Sequence, residues 1–211
     1  MRIAAVLLAA VIVYLILIRS WMLNMGASAQ ERTAPMPGDG WVHDPNMKYT
    51  QAVTINAPRD IVWAYLIQVG YRRSGWYNWD FVNRLADRNY FFEGRKSAQR
   101  IIPELQNLQE GDQIFLTPQL GMLVEKLQTS NYMILTGRNA DSYLVVWTFC
   151  LTAPEASITR LIVRWTSNQN EGLLLKLLNL ILIEPGGAGI QQSQMLRGIK
   201  QRAEADFKKK R

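Results

Sequence analysis

Hydrophobic and polar positions alternate between Met47 and Ile55. Met47, Tyr49, Val53 and Ile55 fall on one face, and Lys48, Thr50 and Thr54 on the other, which is the period of a strand. After Asn56-Ala57-Pro58 the spacing lengthens. Ile61, Val62, Tyr65, Leu66 and Val69 recur with helical period, Pro58 suits the first helical position and Gly70 ends the run. A second short helix starts near Asn78, with Trp79, Val82 and Ala86 on one side and Phe81 and Leu85 beside them. From residue 110 the strand period returns. A turn at Glu110-Gly111-Asp112 precedes strands over 113–118, 121–128 and 131–138, and a second turn at 139–142 leads into 143–152 and 158–167, the two strongest. In the last of these, Leu161, Val163 and Trp165 oppose Arg160 and Arg164, which predicts an antiparallel sheet with one wet face. Gly189 to Phe207 then reads as a helix with Met195, Leu196, Ile199, Ala203 and Phe207 as its apolar stripe. One strand, two short helices, a run of strands and a long final helix make an α+β order.

The chain begins differently. Ile3 to Ile18 carries no charge, Arg2 and Arg19 flank it, and Trp21 follows. With Ser20 to Leu23 extending the apolar span, this predicts an N-terminal transmembrane helix over residues 1–25, with Arg2, Arg19 and Trp21 at the headgroup layers. The rival is a cleaved signal peptide, since Ala27-Ser28-Ala29 fits a cleavage site; against it, the apolar run is long and Arg19 and Trp21 intervene. The positive charges on either side of the span nearly balance, so the side of the membrane stays open. Residues 26–46, rich in Gly and Pro, read as a linker. Residues 47–211 then form one domain, of a size that buries a core without disulfides.

Composition narrows the chemistry. One cysteine, Cys150, rules out an internal disulfide, and one histidine, His43, with no nearby ligand partner, argues against a transition-metal centre and against a His-based nucleophile. No cofactor is implied. The net charge of +7 is partly concentrated in Lys208 to Arg211 and otherwise scattered, which does not make a nucleic-acid groove.

Several short motifs, in order, resemble the START/polyketide-cyclase-like superfamily, and in particular its membrane-anchored bacterial members of unassigned activity. They are Met36-Pro37-Gly38-Asp39, Ile55-Asn56-Ala57-Pro58 with Val62-Trp63, Gly75-Trp76-Tyr77 with Asp80, Ile102-Pro103-Glu104-Leu105-Gln106, Gly111-Asp112, and Met195-Leu196 with Gly198-Ile199-Lys200 and Arg202-Ala203-Glu204. The resemblance implies a helix-grip fold, in which a curved antiparallel sheet wraps the C-terminal helix around an apolar cavity. It implies a cavity bordered by Trp76, Tyr77 and Trp79, with Val163 and Trp165 from the last strand and Met195 and Ile199 from the last helix. Residues 88–98 occupy a variable position in the family, so no role carries over to them.

The expected function is membrane-tethered binding of a hydrophobic small molecule or lipid in that cavity. The alternative is a cyclase, dehydratase or hydrolase acting there, with Asp80 or Tyr77 as acid or base. For the aromatics of "GWYNWDF" a plain core is the competing reading, because such clusters pack more often than they recognise. For Asp80 the competing reading is a helix N-terminus, where a carboxylate is stabilised by the macrodipole. Residues 172–183, "GLLLKLLNLILI", are too short to span a bilayer. They read as a lid or membrane-touching flap through Leu173, Leu177 and Leu180, or as a helix packed on the domain, with the C-terminal basic cluster drawn to anionic lipid.

Overall fold

A computed structural model of the chain describes residues 13, 14, 18–139, 142–168 and 189–210. Six strands form one antiparallel sheet in the order β1-β6-β5-β4-β3-β2: β1 Met47–Ile55, β2 Gln113–Thr117, β3 Leu120–Gln128, β4 Tyr132–Arg138, β5 Tyr143–Glu155 and β6 Ile158–Ser167. Register shifts at Phe115/Thr117, Val124/Lys126, Gly137/Arg138 and Thr152/Glu155 mark bulges, the devices that bend a sheet. Five helices accompany it among the described elements: α1 Arg19–Leu23, α2 Ala29–Thr33, α3 Arg59–Ile67, α4 Asp80–Ala86 and α5 Gln192–Lys209. The fold is α+β, and the expected run of strand, two helices, five strands and long helix is present.

The core lies between the sheet and α5, which packs on α3 and β1. Ile55, Tyr65, Leu66, Phe149, Leu161, Val163, Ile199 and Ala203 are fully buried there. Apolar residues one helical turn apart on α5 and two apart on β5 and β6 meet in this layer, as their periods require.

The opposite face of the sheet is not wet, contrary to the alternation of β6. Arg164 is 2% exposed. The segment after α1 lies over it and holds a short helix, α2, capped reciprocally by Ser28 and Glu31. Arg164 donates to Thr50 Oγ1, to Asp39 Oδ2 at 2.6 Å, and to the carbonyls of Glu31, Arg32 and Ala34. Arg160 donates to both Glu31 carboxylate oxygens, Thr54 Oγ1 and the Gly26 carbonyl. Further on, Trp41 stacks on Tyr143, and Val42 packs with Ile134 and Val146. Residues 26–46, read from composition as linker, are therefore a strap across the sheet. Gly26 is needed at its start: φ is +75° and a Cβ there would stand 2.1 Å from the Ala52 carbonyl oxygen. Beside it, Ala52 N donates to the Met25 carbonyl and Thr50 N to Asn24 Oδ1.

Among the described residues no helix is long and apolar enough to cross a membrane. Most of the anchor expected at 1–25, including Arg2, lies outside the described residues, as do Leu173, Leu177 and Leu180 of the expected flap. Of the expected membrane contacts, Arg19 and Trp21 are described: both lie in α1, whose Met22 and Leu23 are buried while Trp21 is 66% exposed.

Candidate functional site

Three aromatic side chains stand side by side on the inner face of the sheet. Tyr49 of β1 pairs in register with Trp165 of β6, and Trp165 with Trp147 of β5. Residues directly opposite in an antiparallel ladder share a face, so the register itself lines the rings up. Tyr49 and Trp165 stack with centroids 6.5 Å apart, Trp147 and Trp165 meet edge-on at 5.5 Å, and Phe149 lies 4.8 Å from Trp147. Trp76, from the loop between α3 and α4, stacks on Trp147 at 5.4 Å.

A buried amide network closes one end of this row. Gln192, in the first turn of α5, accepts at Oε1 from Trp147 Nε1 at 3.0 Å and from the Tyr49 hydroxyl at 3.3 Å. Its Nε2 donates to Gln51 Oε1, and Gln51 donates in turn to the carbonyls of Met22 and Gly189. Neutral amides cost far less to bury than charges and still orient every ring they touch. One buried donor is left over. Trp76 Nε1 completes no hydrogen bond among the described residues. Burial raises the Tyr90 pKa, and the nearby Trp76 indole opposes it; the Tyr90 O–H donates to the Leu116 carbonyl, which leaves its oxygen free to face the indole.

Tyr77 is held more tightly than any other ring in the segment. Its φ is +55°, a costly conformation for a bulky residue. The surroundings enforce it. Its N–H donates to Ser97 Oγ, its hydroxyl accepts from Gln68 Nε2 at 2.6 Å, and Arg202 sits 4.4 Å over its ring. Gly198 of α5 lets the helix lie directly on it: a Cβ at 198 would fall 2.2 Å from the Tyr77 carbonyl oxygen. Burial pushes the phenol up to about 12, so Tyr77 stays protonated at neutral pH. Asp80 opens α4, and its Oδ1 accepts from Ser97 N and from Ser97 Oγ at 2.6 Å. Since Ser97 Oγ also holds Tyr77 N, Asp80 braces the loop, in addition to standing in the first turn of α4, the helix N-terminal position considered for it in the sequence. Desolvation pushes the half-buried Cys150 thiol up to about 11, away from the range of a reactive nucleophile.

Trp76, Tyr77, Val163, Met195 and Ile199 all join the main apolar cluster, with Trp165 packed against it. Trp79 does not. The turn at Tyr77 sends it outward, where it is 40% exposed and stacks on Phe81 at 6.3 Å. Tyr49, Gln51, Trp147 and Gln192, which complete the site, carry no local sequence signal beyond the alternation of β1 and β5. A separate pocket of about 90 Å³ lies between the strap and α5, lined by Met25, Gly26, Ala52, Val53, Ser193, Leu196 and Arg197. That is well below the roughly 300–1,000 Å³ of small-molecule sites. Among the described residues no group of His, Cys, Asp and Glu could hold a metal ion.

No family model matches the chain, and no curated protein matches it. Solved structures similar to it include the self-sacrificing resistance protein CalC of Micromonospora echinospora, at 13% identity over 75% of this chain and 95% of that one, with a TM-score of 0.43. A polyketide-cyclase-like protein of Corynebacterium glutamicum is similar at 13% identity over 77% and 94%, with a TM-score of 0.39. An HSP90 activator of Plasmodium falciparum is similar at 10% identity over 69% and 91%, with a TM-score of 0.39. Its strand order, paired helices and closing C-terminal helix make an α+β arrangement of a bent antiparallel sheet against a long C-terminal helix.

Proposed function

We propose that the protein is a membrane-tethered module that holds a hydrophobic small molecule or lipid against the aromatic row of the sheet. One observation carries the reading: the Trp76 N–H is buried among stacked rings and completes no hydrogen bond among the described residues. A buried donor without a partner costs about 1–3 kcal/mol, which a bound acceptor recovers. The guest this favours has an apolar body, to lie along Trp76, Trp147 and Trp165, and one hydrogen-bond acceptor for Trp76 Nε1. Tethering is supported by the apolar run at 3–18 and by Trp21 beyond it, an aromatic suited to a membrane interface. It would enrich such guests near the site. The acid–base alternative has less support, because Asp80 is engaged by Ser97 and Tyr77 keeps its proton.

The test is native mass spectrometry of the full chain, released from detergent after exposure to extracted lipids, with tryptophan emission followed in parallel. A retained lipid or small apolar adduct, lost in Trp76→Ala, is expected. A chain that carries no adduct and whose emission no extract alters would overturn the reading.

A further inference from the structure

Helix α4 is turned inside out. Its Asn83 is buried and donates to Asn78 Oδ1 at 2.9 Å. Its large apolar residues face solvent: Phe81 is 58% exposed and Leu85 82% exposed. These two lie one turn apart on the same face, and Trp79 extends the face by stacking on Phe81. Exposed rings and aliphatics in one contiguous patch mark a contact surface more often than chance.

Charge says what the patch contacts. Every acid in residues 80–96 is already engaged: Asp80 by Ser97, Asp87 by Tyr71, Asn89 N and Arg72, and Glu93 by Arg100 at 2.9 Å. Arg88, Arg95 and Lys96 are exposed and have no acidic partner among the described residues. Arg84 Nη1 donates to the Arg95 carbonyl at 2.9 Å, which brings Arg95 and Lys96 beside α4. An apolar face rimmed by unpaired cations is the pattern of an element lying in an anionic lipid interface.

Position agrees. Asn78, next to Trp79, donates to Gln191 Oε1 at 3.2 Å. Two residues earlier, Gly189 packs on Met22, and its carbonyl shares the Gln51 amide with the Met22 carbonyl. A chain of contacts thus links α1, which carries exposed Trp21, to the loop that presents the Trp79–Phe81 face. We infer that the outer face of α4, through Trp79, Phe81 and Leu85 with Arg88, Arg95 and Lys96, docks on the anionic lipid surface beside the tether. The inference rests on the membrane-tethered reading and adds the side of the domain that meets the bilayer.

The test uses the full chain carrying Cys150→Ala and Leu85→Cys, labelled at the new thiol with an environment-sensitive nitrobenzoxadiazole dye. It is mixed with vesicles of phosphatidylcholine and phosphatidylglycerol, or of phosphatidylcholine alone, and floated. The expected result is flotation with both vesicles, and a blue-shifted, brightened emission with the anionic mixture. Replacing Arg88, Arg95 and Lys96 by Gln removes that shift without preventing flotation. A chain that floats with the anionic vesicles while the dye stays water-like overturns the docking and leaves the tether standing. A chain that does not float overturns both. A dye already buried without vesicles shows that protein rather than lipid covers the face, and also overturns the docking.

Discussion

The Arg164 guanidinium lies beneath the N-terminal strap with Asp39 Oδ2 2.6 Å from Nη1, which places a charge pair between sheet and strap rather than in water. Three strap carbonyls and Thr50 Oγ1 use the remaining donors, so the arginine acts as a many-pronged clasp. Replacing it with Ala strands those carbonyls and the carboxylate together. The expected loss is about 3–5 kcal/mol of unfolding free energy, read by urea denaturation of the full chain in detergent. Lys recovers only part, because an ammonium cannot reproduce the planar fork. Hydrogen exchange should rise over residues 26–42 before it rises in β5.

A second outcome concerns Gly198. In an exposed helix, Gly→Ala stabilises by about 1 kcal/mol. Here the new methyl meets the Tyr77 carbonyl oxygen at 2.2 Å and its Cβ at 2.6 Å. Backbone on both sides leaves little to move, and overpacking costs about 1–3 kcal/mol. The clash wins: Gly198→Ala should lower the thermal midpoint, with a net loss of about 2 kcal/mol at the upper end of that range.

The two stacked tryptophans separate a satisfied indole from an orphaned one. Trp147 donates to Gln192, while Trp76 completes no hydrogen bond among the described residues. Changing either to Phe removes a similar volume, so the difference between the two isolates the N–H. Trp147→Phe should cost about 1–3 kcal/mol more than Trp76→Phe, measured by denaturant midpoint without added lipid.

Glu31 supplies a pH dependence. Its hydrogen bonds from Arg160 hold the carboxyl below its ordinary value of 4.5 in the folded chain, against the opposing effect of burial. Because the folded-state pKa is depressed, the stabilisation is fully present above 4.5 and is lost as pH falls through the lower folded value. A stability profile taken downward from neutral should drop in that acid window, and Glu31→Gln should flatten the drop. An unchanged profile in the variant would count against the role given to this carboxylate.

The strands β1 and β6 are legible in the sequence to the residue, since alternation is local and turns bound both runs. The covering of their polar face is not. Arg160 and Arg164 alternate with apolar residues in the same way whether water or peptide carbonyls receive their donors, and Asp39 lies 125 residues from Arg164 in sequence. The aromatic segment shows a similar limit. Trp76 and Trp79 look alike in the sequence, yet the positive φ at Tyr77 puts one in the core and the other in solvent. Of the candidate site, the sequence singles out Trp76, Tyr77 and Trp165, which pack in the apolar layer, while Tyr49, Trp147 and Gln192 enter through strand register and the placement of α5, which no local pattern encodes.

The bonds at the margins of the sheet have a further effect. On one rim, Thr50 and Ala52 spend their N–H groups on Asn24 and Met25; on the other, Tyr71 and Tyr90 occupy the carbonyls of Phe115 and Leu116. Neither outermost strand offers a free ladder at these positions for a neighbouring copy to extend. Crowding many such molecules together then carries little risk of strand-by-strand polymerisation, the hazard that unguarded β edges bring.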